Sequence, residues 1–233
     1  DGRIVGTVGG GRFEHQVVAE ARAAIRAGRP RRYAVHLTRD LGMCCGGRME
    51  AYIDPLESTP DLVVFGAGHV GAATARLAAV AGFRVTVVDE RGELLEAADL
   101  PADATRLEGD PRRLLDQVPA GPSAYHLIVT HDHGLDQDLV ERLLPLPLAW
   151  VGLIASRAKV ARFAIRLRAA GMDPALFERL HAPVGLDIGA ETPGEIGVSI
   201  LAELVRVRRG CHRPVVPLTA AGRVDRGRDA EDA

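Results

Sequence analysis

One lysine in 233 residues, Lys159, and three cysteines, Cys44, Cys45 and Cys211, are the scarcest reactive groups of this chain. An odd, low cysteine count without regular spacing excludes a disulfide scaffold. Arginine far outnumbers lysine, which reads as the bias of a GC-rich genome before it reads as function. Charge of one sign is lacking too: 29 Lys and Arg face 31 Asp and Glu, a net of −2. That balance gives no electrostatic case for nucleic acid or a charged membrane surface as the main partner. No apolar run reaches the roughly 18–20 residues that a bilayer span needs. No secretory signal is spelled, so a cytoplasmic protein is expected. The chain has no Gly-x-x-x-x-Gly-Lys-Ser/Thr loop, no Gly-x-Ser-x-Gly elbow and no Cys-x-x-Cys pair. No dehydrogenase-like His/Arg/Asp triad stands out either.

What is present is a hydrophobic fraction of 47%, enough for a substantial core, and one informative motif. Leu62-Val-Val-Phe65 is an apolar run of strand type that opens into Gly66-Ala-Gly68-His69-Val-Gly71. A helical stretch follows over 70–81, then a second apolar run from Phe83 to Val88 that ends in Asp89. This is a βαβ unit with a phosphate-binding turn and an acidic residue about 20 positions on. Gly66 allows the tight turn, Gly68 lets a phosphate approach the backbone, and Gly71 lets the helix pack on the strand. The helix N-terminus adds free N–H groups and a favourable dipole. Asp89 suits ribose hydroxyls. Glu90 beside it repels a 2′-phosphate, which favours NAD over NADP if a dinucleotide binds. His69 faces either phosphate or solvent.

Around this unit the pattern predicts an α/β fold, a Rossmann-like and mostly parallel sheet preceded by a small α+β domain. The expected strands are Leu62–Phe65, Arg84–Val88, Thr105–Leu107, His126–Thr130 and Ala149–Ile154. Helices are expected over 70–81, about 91–98, 111–117, 136–144 and 157–170. Residues 1–58 form the small domain: a strand from Arg3 to Val8 and a helix from Phe13 to Ala27. That helix presents Phe13, Val17, Val18, Ala21 and Ile25. Strands over Tyr33–Thr38 and Met49–Leu56 flank a loop over Leu41–Gly47. The chain opens at Asp1 just ahead of a strand, so an upstream piece is expected. Residues 59–217 form the Rossmann-like domain, which includes a short helix over Pro174–Leu180 and a loop over 181–189. Its last helix starts at Thr192, where Pro193 and Glu195 complete a capping box, and runs to about Arg209. The Arg/Asp/Gly/Ala-rich stretch 218–233 reads as a disordered tail.

Two loops after strands carry further candidates, because groups past the carboxyl ends of parallel strands face the ligand crevice. In Thr130-His131-Asp132-His133 the imidazoles and carboxylate suit a phosphate, a proton or a metal; otherwise the loop caps the next helix. Ser156-Arg157-x-Lys159 places a hydroxyl, a guanidinium and an ammonium at a helix start, which suits an anion. Adjacent Cys44 and Cys45, flanked by Gly46 and Gly47, suit a soft metal, a persulfide or a vicinal disulfide; otherwise they are small apolar residues in a tight loop. Gly9-Gly10-Gly11 with Glu14 is either an anion-binding turn or a sharp strand-to-helix turn.

Taken in order, these stretches resemble the XdhC/CoxI family, the xanthine dehydrogenase accessory proteins. The resemblance rests on Gly6-Thr-Val-Gly-Gly-Gly-x-x-Glu14, Met43-Cys-Cys-Gly-Gly47 with Asp54-Pro-Leu56, and Val64-Phe-Gly-Ala-Gly-His-Val-Gly71. It continues through Thr130-His-Asp-His133, Gly152-Leu-Ile-Ala-Ser-Arg-Ala-Lys159, His181-x-Pro-Val-Gly-Leu-Asp-Ile-Gly189 and Thr192-Pro-Gly-Glu-Ile196. It implies a maturation factor and chaperone for molybdenum cofactor (molybdopterin) rather than a metabolic enzyme. Such a factor shelters the cofactor while a cysteine desulfurase sulfurates it. It then delivers the cofactor to a xanthine dehydrogenase-type molybdoenzyme. A homodimer is a further expectation. The glycine turn and the 156–159 edge are then candidates for the cofactor's phosphate, and Cys44 and Cys45 for molybdenum or sulfur. The competing expectation is an NAD(H)-dependent oxidoreductase.

Overall fold

The structure, a computed structural model, describes residues 3–42, 46–56 and 59–216. The chain divides into two compact units, Asp1–Ser58 and Thr59–Ala233. Cys44, Cys45 and the expected tail over 218–233 lie outside the described residues.

In the first unit, helix α1 (Gly11–Ala27) packs on an antiparallel pair, β1 (Arg31–His36) and β2 (Arg48–Ile53). A short helix, α2 (Leu37–Leu41), follows β1 where the sequence suggested that the strand ran on to Thr38. Asp40 accounts for the early stop: its carboxylate accepts the His36 N–H at 2.8 Å and closes a helical turn over the strand end. Phe13, Val17, Val35, Leu37 and Leu41 form the small core. Ile25 is 68% exposed, contrary to the expected face, whereas Ala24 is buried. At 100° per residue Ala24 stays in line with Val17 and Ile25 does not. Arg3–Val8 is not a strand. Gly6 turns the backbone at φ 85°, and the Val8 and Gly10 N–H groups donate to the Glu14 carboxylate at 3.0 and 3.2 Å. The Thr7 hydroxyl donates to the same carboxylate. The triple-glycine turn is therefore filled by an anion of its own chain.

The second unit is built on six strands: β3 (Asp61–Phe65), β4 (Arg84–Asp89), β5 (Thr105–Glu108), β6 (Ala124–Ile128), β7 (Trp150–Leu153) and β8 (Leu180–His181). They lie in the order β5-β4-β3-β6-β7-β8, and every neighbouring pair is parallel. Counted within the unit this is the 3-2-1-4-5-6 order of a doubly wound dinucleotide fold. All residues of β3 and β6 are buried, as strands covered on both faces must be. One face carries α3 (His69–Val80), α4 (Gly92–Ala97) and α8 (Pro193–Arg208), with Ala75, Ala78, Leu95, Ile200 and Leu204 in its core. The other carries α5 (His133–Leu143) and α6 (Arg157–Ala169), with Leu139, Leu143, Phe163 and Leu167. A four-residue helix, α7 (Pro174–Phe177), precedes β8.

Two expectations need correction here. Residues 111–117 hold one 3-10 turn (Leu115–Gln117) rather than a helix. The helix of Pro174–Leu180 ends at Phe177 and gives way to β8, so the segment after Arg179 opens as a strand. Two residues are too few to show a period in sequence. The loop beyond β8 is pinned to α8: Glu203 accepts the Gly185 N–H at 2.7 Å and lies 2.6 Å from His181 Nδ1. The capping box of α8 is formed as its spelling requires, with Thr192 and Glu195 each bonding the other's backbone.

Candidate functional site: the carboxyl edge of the parallel sheet

The strand order reverses between β3 and β6, and α/β sheets open a crevice at that point. Here the crevice is lined by Gly66, Val88, Asp89, Glu90, Thr130 and His131, among others. The glycine turn forms one wall. Gly66 holds φ 118°, and a Cβ there would sit 2.5 Å from the Val129 carbonyl oxygen, so only glycine fits against the end of β6. A Cβ on Gly71 would lie 1.9 Å from the Gly66 carbonyl oxygen, so the first turn of α3 closes directly on the loop. Gly68 differs from both: its φ is −64°, and nothing lies within 4 Å of a Cβ built there. Backbone conformation does not require this glycine, and its α-carbon faces open space.

Gly68 is the N-cap of α3, which has no side-chain cap and no acidic residue in its first turn. The helices α5, α6 and α8 are capped by Asp132, Ser156 and Thr192. The leading N–H groups of a helix lack intrahelical partners. Those of α3 have no side-chain cap and sit at the positive end of the helix dipole. His69 is exposed as the first residue of this helix.

Asp89 ends β4 with only 4% of its surface exposed. Its Oδ2 accepts the Ala67 N–H of the glycine turn at 2.8 Å and Arg91 Nη2 at 2.9 Å. Its Oδ1 accepts the Arg91 N–H at 3.0 Å and Arg91 Nε at 2.9 Å. Burial pushes the carboxyl pKa up; the Arg91 guanidinium and the two backbone N–H groups outweigh burial and hold it below the usual carboxylate value. Arg91 escaped the sequence reading, although its place two residues after a strand-end aspartate was a usable signal.

Across the crevice, His131 Nε2 stands 4.0 Å from Glu90 Oε1, with both side chains about half exposed. Asp132 caps α5, accepting the Gly134 and Leu135 N–H groups at 2.6 and 3.1 Å, and those bonds lower its pKa. His133 is exposed at the start of α5. Among the described residues no group of three His, Cys, Asp or Glu side chains is placed to hold a metal.

The Ser156/Arg157/Lys159 edge does not converge on one anion. Ser156 Oγ accepts the Lys159 N–H at 3.2 Å as the cap of α6, and Arg157 is exposed. Lys159 turns inward, 8% exposed, and its Nζ pairs with Asp136 Oδ2. Asp136 is fully buried and accepts the Thr130 hydroxyl at 2.6 Å through Oδ1. A buried carboxylate demands a partner, and the chain's single ammonium supplies it. Asp136 gave no signal in sequence, where it reads as one more acid on an amphipathic helix.

Comparison with known proteins matches this architecture. The family described as "XdhC Rossmann domain" matches residues 62–204, and "XdhC and CoxI family" matches residues 1–38. An Escherichia coli K12 protein described as "Uncharacterized protein YqeB" is 39% identical over 213 residues, 89% of this chain and 39% of that protein. A Bacillus subtilis protein described as a probable xanthine dehydrogenase subunit is 32% identical over 158 residues, 68% of this chain and 46% of that protein. The chain thus spans less than half the length of these curated relatives. A solved structure from Bacillus halodurans, titled as a xanthine dehydrogenase, shares the fold with a TM-score of 0.58 at 20% identity, over 93% of this chain and 86% of that one. The match of the Rossmann-domain family to more than half of its residues places this chain in the XdhC and CoxI family.

Proposed function

We propose that this chain is a maturation factor that holds molybdenum cofactor through its phosphate. It supports sulfuration of that cofactor by a partner cysteine desulfurase and hands it to a xanthine dehydrogenase-type molybdoenzyme in the cytoplasm. One observation carries the reading: α3 opens at Gly68 without a side-chain cap and with free space in front of it. The donor set fits the phosphate end of the cofactor, because backbone N–H groups at a helix start bind that group without a cationic side chain. The Bacillus subtilis relative, described as part of a xanthine dehydrogenase, supports the choice of client. When bound, the cofactor supplies the molybdenum chemistry of the client enzyme. The residues of this chain bind and orient it: the Gly66–Gly71 turn and His69 at the phosphate, and His131 with Glu90 at the mouth of the crevice. Asp132, His133, Ser156 and Arg157 border the same sheet edge. Cys44 and Cys45 are assigned to the molybdenum or sulfur end.

Gly68→Asp places a carboxylate where the phosphate sits. Co-expressed with a xanthine dehydrogenase-type hydroxylase, that variant should fail to raise client activity, as should Cys44→Ala/Cys45→Ala. Full client activation by both variants contradicts the proposal. Among the described residues no helix is long and apolar enough to cross a membrane.

A further inference from the structure

We infer that the Asp89–Arg91 pair plugs the adenosine-ribose subsite of this dinucleotide-type fold, so that the glycine turn takes a phosphate whose carrier is not NAD(H) or NADP(H). The inference rests on the reading of the turn as a phosphate cradle and narrows its ligand.

In a doubly wound fold the acidic residue at the end of the second strand accepts the ribose hydroxyls. Asp89 occupies that position at the end of β4. A carboxylate offers about four acceptor sites. Asp89 spends four: two on the Arg91 side chain, one on the Arg91 N–H and one on the Ala67 N–H. Two further facts deepen the block. Arg91 Nε and Nη2 lie side by side on the two oxygens, a bidentate geometry that holds the guanidinium over the carboxylate. The bond to Ala67 makes the same carboxylate a strut of the glycine turn. Rotating Asp89 toward a ribose would therefore loosen the phosphate cradle that the dinucleotide also needs.

NADP(H) fares no better. Its 2′-phosphate requires an uncompensated cation at this strand end, whereas the charge of Arg91 is offset by Asp89 and Glu90 stands next to it. Asp89 is thus a positioning residue for the turn, and Arg91 decides ligand specificity by occupying it.

Removing the Arg91 side chain should return two acceptor sites to Asp89 and leave its bond to Ala67 intact. The test is a fluorescence titration of the full chain with NADH, on wild type, Arg91→Ala and Arg91→Met. The methionine variant keeps the apolar stem in case the alanine variant unfolds. Expected is no saturable binding by wild type up to millimolar NADH, and an affinity gain of about tenfold or more in the folded variants. Saturable micromolar binding by wild type overturns the inference. So does the absence of any gain in variants that circular dichroism shows to be folded. Inorganic pyrophosphate separates this inference from the reading beneath it, because a ligand of the native state raises the melting temperature. Protection by pyrophosphate without any NADH gain refutes the Arg91 assignment alone. Absence of protection by both pyrophosphate and molybdopterin refutes the cradle.

Discussion

Lys159→Met distinguishes a structural ammonium from a ligand-binding one. Lys159 Nζ and Asp136 form an ion pair in which the carboxylate is fully buried and the side chain of Lys159 is 10% exposed. Removing the ammonium strands a charge whose other side-chain partner, among the described residues, is the Thr130 hydroxyl at 2.6 Å. Breaking a buried pair from one side costs about 3–5 kcal/mol. For a domain of this size 1 kcal/mol lowers Tm by about 2–4 °C, so a fall of roughly 6–20 °C is expected. Replacing both partners, Asp136→Leu/Lys159→Met, removes the stranded charge and should recover most of the loss. The assay is urea unfolding of wild type, both single variants and the double variant, read by circular dichroism and fluorescence. An ammonium that served an open anion site would behave as a surface charge, and its loss would change stability by no more than about 0.5 kcal/mol. A Lys159→Met variant as stable as wild type, or a double variant that loses the sum of the single losses, refutes the argument.

Two further predictions separate packing from ligand contact. Gly71→Ala should destabilise by about 1–3 kcal/mol or more through overpacking, since its Cβ meets the Gly66 carbonyl oxygen at 1.9 Å. Gly68→Ala should leave chemical denaturation within about 0.5 kcal/mol of wild type, because its Cβ meets open space and its φ suits any residue, while it weakens binding of a phosphate-bearing ligand. His126 supplies a pH signature: it is fully buried, its Nε2 lies 2.8 Å from the Pro119 carbonyl oxygen, and its Nδ1 has no partner among the described residues. Burial lowers its pKa to about 4 from 6.5, so the unfolded chain binds the proton more tightly than the folded one. Stability should therefore fall as pH drops from about 6.5 to about 4, by on the order of 3 kcal/mol from this group. His126→Phe should flatten that part of a stability-versus-pH curve; an unchanged slope contradicts the assignment.

The parallel sheet was legible because β3, β4 and β6 are apolar runs set off by glycine and separated by helical stretches, which fixes both their type and their parallel pairing. Gly66 and Gly71 were legible for a similar reason, since the spacing of the motif encodes backbone geometry. The partners of side chains were not. Asp89 and Lys159 were read as free to meet a ligand because sequence shows a charge but not the counter-charge that folding brings to it. Arg91 is two residues from Asp89, whereas Asp136 lies 23 positions from Lys159 on another helix. The Arg3–Val8 segment misled for a related reason. The segment reads as a strand, but the Val8 and Gly10 N–H groups donate to the Glu14 carboxylate instead of to a neighbouring strand. The two-residue β8 exists through its pairing with Val151 and Gly152, a tertiary fact with no local trace.

The central claim is that the turn from Gly66 to Gly71 holds the phosphate of molybdenum cofactor. Its most direct test is anaerobic purification of the full chain from cells making that cofactor, followed by molybdenum and pterin analysis. Wild type should carry both molybdenum and pterin, and Gly68→Asp, folded to the same degree, should carry neither. A wild-type protein free of pterin, or a Gly68→Asp variant that retains it in full, would contradict the account.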